Sequence, residues 1–263
     1  MTPSGQAALP PFVRLVAHPM RWRLLSELAR SDLRVRELVA LVDQPQNLVS
    51  YHLRLLRSGG LVTARRSSFD GRDSYYHLDL ERFGDGLAAA GAALHPALHL
   101  VPAQPAIALE DTAPSVLFTC TGNSARSPIA EALLRHRTGG RVQVTSAGSH
   151  PKPQLHPDAV RVLREQYGID IAGRRPRHLD TLTGRRFDYV ISLCDKVREV
   201  CPDFGDHPRR IHWSIPDPAA EPVTARDTEP AGHSTLARTA AEIDTRIRYL
   251  LPQLAHPPRE ARP

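Results

Sequence analysis

Apolar residues recur three or four positions apart through much of the first hundred residues. Val13, Leu15 and Val16, then Trp22, Leu24, Leu25 and Leu28, then Val35, Leu38, Val39 and Leu41 follow this spacing, which predicts three short amphipathic helices. A fourth is predicted through Leu48, Val49, His52, Leu53, Leu55 and Leu56. Asp43 is its expected cap, Pro45 suits its first turn, and Ser58-Gly59-Gly60 ends it. The period then changes to two. Leu61–Arg65 and Ser74–Leu78 alternate around Asp70-Gly71, the pattern of a hairpin with its turn. A further helix through Phe83, Leu87, Ala90 and Leu94 follows.

From Pro96 to Pro114 the periodicity lapses into scattered prolines and small residues, as in a linker. Beyond it the apolar runs become continuous. Val116-Leu117-Phe118-Thr119, Val142-Gln143-Val144 and Tyr189–Leu193 read as strands, with helices expected at Pro128–Arg137 and through Ala159, Val160, Leu163 and Tyr167. Alternating strands and helices imply an α/β domain whose parallel sheet is covered on both faces. Sites in such sheets form at the carboxyl ends of strands, where Cys120 and Cys194 fall. The expected organisation is a mostly helical domain with a β-hairpin at 1–96, a linker at 97–113, an α/β domain at 114–255 and a tail at 256–263.

The 263 residues, 41% of them apolar, suffice for two cores. A formal charge of +6, carried almost wholly by arginine because Lys152 and Lys196 are the only lysines, suits DNA or oxyanion partners. An arginine-rich composition also arises from gene base composition alone. No apolar run spans a bilayer, and the first residues lack the order of a secretion signal, so a cytoplasmic chain without membrane contact is expected. Cys120, Cys194 and Cys201 all fall beyond the expected linker. An odd count there points to reactive thiols rather than a disulfide framework. Histidines such as His18, His52 and His77 form no pair with convincing metal-ligand spacing, so no metal is expected.

The densest chemistry lies in Cys120-Thr121-Gly122-Asn123-Ser124-Ala125-Arg126-Ser127-Pro128. A cysteine and an arginine six positions on, between a strand and a helix, curl the backbone so that its amides face one tetrahedral anion. The helix N-terminus and Arg126 suit a thiolate nucleophile, and the planar guanidinium suits an oxyanion. Thr121, Gly122, Asn123, Ser124 and Ala125 form the cradle, Gly122 permits its tight path, and Ser127 is expected to cap the helix.

This loop closely resembles that of low-molecular-weight protein tyrosine phosphatases and of the arsenate reductases that share their fold. The resemblance runs from about Pro114 to Leu254 and implies a four-stranded parallel sheet. Leu193-Cys194-Asp195-Lys196-Val197-Arg198-Glu199-Val200-Cys201-Pro202 looks like the redox segment of thioredoxin-coupled arsenate reductases. Two-electron reduction needs successive thiols, whereas phosphatase chemistry needs one. The resemblance implies attack by Cys120 on arsenate, protonation of the departing oxygen by Asp217, and relay through Cys194 and then Cys201. Asp217 is chosen because His212-Trp213-Ser214-Ile215-Pro216-Asp217-Pro218 resembles the general-acid loop of those reductases. Thioredoxin, mycothiol with mycoredoxin, or glutathione could supply the electrons, and no bound cofactor is implied. Relatives often hold potassium beside the loop. Asn123, Glu131 and Ser146 match three of its ligand positions, and Arg177 falls where an acidic one is expected, so a guanidinium is expected to replace the ion.

Residues Phe12 to Leu94 resemble the arsenic-responsive winged-helix repressors, on His18-Pro19-Met20-Arg21-Trp22-Arg23-Leu24-Leu25 and Asn47-Leu48-Val49-Ser50-Tyr51-His52-Leu53-Arg54-Leu55-Leu56. The resemblance implies operator DNA as partner, with Gln46, Asn47, Ser50, Tyr51 and His52 on the reading helix and Arg65, Arg66 and Arg72 on the wing. It also implies a homodimer formed by the first and last helices. The family's arsenic thiols are missing, because Asp32-Leu33-Arg34-Val35-Arg36-Glu37-Leu38 stands in their place. His18, His52 and His77 read as packing or DNA-facing residues. The combined expectation is a bifunctional reductase and regulator. A phosphatase with the same DNA-binding module and an oxyanion-responsive regulator without turnover remain the alternatives.

Overall fold

The computed structural model describes residues 9–98, 114–202, 204, 208–218 and 231–255, with side chains of the last segment described from 235. The expected tail at 256–263 and residues 99–113 of the expected linker lie outside the described residues. The chain divides into two compact units, Met1–Gln104 and Pro105–Pro263.

In the first unit the helical spacing gives α1 (Pro11–Val16), α2 (Pro19–Leu28), α3 (Val35–Val42) and α4 (Gln46–Ser58). Their apolar faces converge on one core in which Leu24, Leu38, Val49 and Leu56 are fully buried. Asp43 does not cap α4. It closes α3 in a left-handed conformation, φ 50°, and Pro45 is the N-cap of α4. Asp is among the non-glycine residues that tolerate this region. The hairpin is β2 (Val62–Arg66) and β3 (Ser74–Leu78), paired antiparallel, and β3 also pairs with a two-residue β1 (Leu33–Arg34). β1 is too short for any periodicity to announce. α5 (Leu80–Leu94) forms where a last helix was expected, capped by Asp79, but no residue of it is buried within this unit. Leu87 and Leu94 are exposed, and Phe83 packs edge-on against Phe12 of α1 at 5.2 Å.

The second unit is the expected α/β domain. Strands β4 (Ser115–Cys120), β5 (Gln143–Gly148), β6 (Tyr189–Ser192) and β7 (Arg209–His212) form a parallel sheet in the order β5-β4-β6-β7. α6 (Arg126–Arg137), α7 (Pro157–Tyr167), α8 (Asp195–Val200) and α9 (Ala231–Ala255) flank it. Val116, Leu117 and Phe118 of the central β4 have no exposed surface, as a strand covered on both faces requires. α6 begins two residues before the expected Pro128. Its N-cap is Ala125, so Ser127 lies within the first turn and does not cap the helix.

Candidate functional site

β4 delivers Cys120 to the carboxyl edge of the sheet, where the chain curls through residues 121–125 into α6. The carbonyls of this loop point away from its centre. Those of Thr121 and Gly122 accept from the amides of His150 and Lys152 at 2.9 Å, and that of Ser124 accepts from His156 at 2.8 Å. The amide hydrogens from Thr121 to Ala125 have no acceptor among the described residues. Backbone donors in folded proteins are almost always satisfied, so a row of unpaired amides at a helix N-terminus marks a place for an anion.

Side chains hold the loop in shape. Asn123 takes φ 42°, so the left-handed residue is Asn123 and not Gly122; a Cβ at Gly122 would meet only ordinary to tight contacts. Asn123 Nδ2 donates to Ser127 Oγ at 2.9 Å and to Ser146 Oγ at 3.0 Å, while its Oδ1 accepts from the amide of Arg177 at 2.7 Å. Ser127 Oγ lies 3.0 Å from Cys120 Sγ. Gly148, which no motif in the sequence marks, pairs with Cys120 across the sheet. A Cβ there would stand 2.5 Å from the Thr121 carbonyl oxygen and 2.9 Å from the Asn123 nitrogen. Only glycine lets the end of β5 lie this close to the loop.

Three further expected residues reach the same place. Arg126 is buried, donates from Nη1 to the carbonyl of Ile215 at 3.0 Å, and pairs through Nη2 with Asp217 Oδ2 at 3.3 Å. Cys194, buried as the N-cap of α8, places its Sγ 3.3 Å from Thr121 Oγ1. Burial pushes the Cys194 thiol up from its ordinary pKa, with the neighbouring Cys120 adding to the rise and Arg126 and Thr121 opposing it. Cys201 packs, partly buried, against the core of this unit. It ends α8, half-buried, and forms no disulfide.

A buried polar cluster fixes the base of this arrangement. Asp195 Oδ1 faces His212 Nε2 at 3.0 Å and accepts from Ser214 Oγ at 2.9 Å, and His212 Nδ1 meets Ser192 Oγ at 2.8 Å. It ties the start of α8 to the segment that carries Asp217. Nothing in the spacing of these residues announces their meeting, because three separate elements supply them.

Beside the loop, the expected substitution of a cation by Arg177 is corrected in its residue. Arg177 supplies its backbone amide to Asn123, and the guanidinium on Glu131 Oε1 is that of Arg174 at 2.8 Å, joined by Arg135 at 2.8 Å. The segment around 174–177 is irregular, so spacing could not fix which arginine turns inward. Among the described residues no group of three or more metal-ligating side chains comes together.

In the first unit the exposed start of α4 presents Gln46, Asn47 and Tyr51, with Ser50 half-buried beside them. His52 is turned inward. It is 4% exposed and its ring lies 4.5 Å from that of His18, so it packs in the core instead of facing DNA. Burial lowers its pKa, and His18 and Arg21 add to the effect. On the wing Arg66 and Arg72 are exposed and Arg65 is half-buried; Arg66 Nη1 donates to the Gly71 carbonyl at 3.2 Å. Asp73 joins the wing to α3 through Arg34 at 3.5 Å and Arg36 at 3.2 Å. Where the sequence lacks an arsenic-binding thiol pair, buried Asp32 instead pairs with His77 Nδ1 at 3.0 Å.

Comparison with known proteins matches residues 115–259 to the family described as low molecular weight phosphotyrosine protein phosphatase, and residues 18–64 to the bacterial regulatory protein, arsR family. An arsenate reductase of Bacillus licheniformis is 36% identical over 134 residues, covering 51% of this chain and 92% of the relative. One from Bacillus subtilis is 34% identical over 133 residues, covering 51% and 91%. Among solved structures, an arsenate reductase from Archaeoglobus fulgidus covers 52% of this chain and 98% of its own at 28% identity, with a TM-score of 0.41.

Proposed function

Because the chain belongs to the low molecular weight phosphotyrosine protein phosphatase family through residues 115–259, we propose that this unit reduces arsenate to arsenite with Cys120, Cys194 and Cys201 as successive thiols. The arsR-family segment at residues 18–64 makes the protein a fusion of an arsenic-related enzyme with a regulator. The observation that carries this function is a second thiol, Cys194, held within 3.3 Å of the loop residue next to Cys120. A phosphatase of this design has no use for it.

The amides of residues 121–125 and Arg126 bind arsenate in place of water. The Cys120 thiolate, accepting a hydrogen bond from Ser127, attacks arsenic. Asp217 gives a proton to the departing oxygen, which leaves as water, so an S–As(V) bond forms as an As–O bond breaks. Cys194 then attacks the Cys120 sulfur. The S–As bond breaks with its electron pair passing to arsenic, arsenite leaves, and a Cys120–Cys194 disulfide remains. Two thiols have supplied two electrons. Cys201 next attacks Cys194, releasing Cys120, and an external dithiol of the thioredoxin class reduces the Cys194–Cys201 disulfide.

For the regulatory unit, the exposed face of α4 and the wing arginines fit operator DNA as base-reading and phosphate-holding elements. α1 and the unburied α5 are the surface of a homodimer, which gives α5 the apolar cover that its own unit lacks.

Arsenite formation from arsenate with thioredoxin, its reductase and NADPH tests the relay, comparing wild type with Cys194→Ser and Cys201→Ser. Turnover is expected in the wild type and in neither variant. Hydrolysis of an aryl phosphate that survives both substitutions, with no arsenite made, would point to a phosphatase instead.

A further inference from the structure

Beside the catalytic loop lies a cavity of about 250 Å³ walled by four arginines, Arg135, Arg174, Arg175 and Arg177, together with Glu131 and Asn123. Its single carboxylate is already saturated. Oε1 of Glu131 takes both Arg135 and Arg174 at 2.8 Å, and Oε2 accepts from Ser146 at 2.7 Å. The side chains of Arg175 and Arg177 have no hydrogen bond or ion pair to any described residue. Four arginines against one carboxylate give the lining of this small space a formal excess of three positive charges. Like charges gathered this closely repel unless an anion shares the space with them, and a guanidinium fork matches the oxygens of a tetrahedral oxyanion.

We propose that this cavity is a second oxyanion site, separate from the cradle of residues 121–125, and that it takes a free inorganic dianion of the phosphate and arsenate class through Arg175 and Arg177. The site communicates with the nucleophile through a short chain of hydrogen bonds. The amide of Arg177 donates to Asn123, Asn123 donates to Ser127, and Ser127 touches Cys120. An anion held at Arg177 therefore stiffens the residue that shapes the loop, and oxyanion concentration sets both the occupancy of the catalytic cradle and its rigidity.

Titration calorimetry of the full chain with inorganic phosphate tests this directly. Two sites per chain are expected. Arg175→Ala with Arg177→Ala should remove one of them, weakening it at least tenfold, while phosphate still protects Cys120 from alkylation as in the wild type. Arg126→Ala should remove the other site and leave the first. Both arginines are exposed, so the double variant keeps its fold, and Arg175→Lys with Arg177→Lys, which keeps the charge, should retain part of the lost binding. A single site in the wild type, or two sites unchanged in the double alanine variant, would overturn the proposal. Neither result touches the thiol relay, because no step of the relay uses Arg175 or Arg177.

Discussion

In the proposed relay Cys194 attacks as a thiolate, yet burial raises its pKa, Arg126 opposing the rise and Cys120 adding to it. Below a raised pKa the thiolate fraction grows about tenfold for each pH unit. The rate of Cys120–Cys194 disulfide formation in a single turnover should therefore keep climbing beyond about pH 9.5, where a thiol of ordinary pKa, about 8.5, has levelled off. Acid quenching followed by alkylation of free thiols measures it, and a rate already flat at about pH 9.5 would contradict the assignment. Arg174 carries a second prediction. We propose that its guanidinium on Glu131 Oε1 stands in for the monovalent cation that relatives hold, so arsenate turnover should be the same in potassium and sodium buffers. Arg174→Ala should introduce a potassium response. Cys120, Arg126, Cys194 and Asp217 are marked in the sequence by a short loop, the Cys194–Cys201 segment and an Asp-Pro pair, whereas Ser127, expected as a helix cap, meets Cys120 instead. Gly148 and Arg174 are not marked there, because their roles depend on which strand end and which arginine pack against the loop.

Between Cys194 and Cys201 stands α8, and its geometry constrains the relay. Seven residues along a helix span about 10 Å, whereas a disulfide needs Cα atoms about 4.4–6.8 Å apart. α8 must unwind for the second disulfide to form, and its anchored end is the one that holds Cys194, through Asp195, His212 and Ser214. In the proposed relay Cys201 is thus the thiol that travels. Amide exchange across residues 195–200 should accelerate at least tenfold or so when the Cys194–Cys201 disulfide is made, and unchanged protection would sink this step. On the wing, exposed Arg66 and Arg72 should each contribute about one unit to the salt slope of DNA binding. Binding isotherms of the alanine variants between low and moderate salt read that slope, and an unchanged slope would remove them from the phosphate contacts. Most elements are legible from period alone. α9 follows the same rule, since Leu236, Ala240, Ile243, Ile247, Leu250 and Leu254 step by three and four and are all buried, although it was not among the helices expected. β7 and β1 give no signal, because Arg209-Arg210-Ile211-His212 is mostly polar and Leu33-Arg34 is only two residues long.

At the scale of the whole chain, two cores with distinct memberships, one in each unit, follow from the change of hydrophobic period near residue 100, and that change makes the two-part organisation legible in the sequence. The distribution of sulfur across the parts carries the last prediction. Residues 1–119 contain no cysteine, and at the start of α3, in place of a thiol pair, Asp32 pairs with His77 and Arg34 with Glu37. Arsenite is bound by thiolates, so any effect of arsenite on operator binding has to enter through Cys120, Cys194 or Cys201. With all three replaced by serine, the full chain should bind its operator with the same affinity whether or not arsenite is present, and fluorescence anisotropy on labelled DNA measures this. If the wild type weakens or tightens on arsenite and the triple variant does not, the enzyme unit is the sensor of the regulator it carries. If neither responds, the regulator works independently of arsenite. A response that survives the loss of every thiol would place an arsenic site in the first unit on oxygen and nitrogen donors, and thiol-based sensing would then be ruled out.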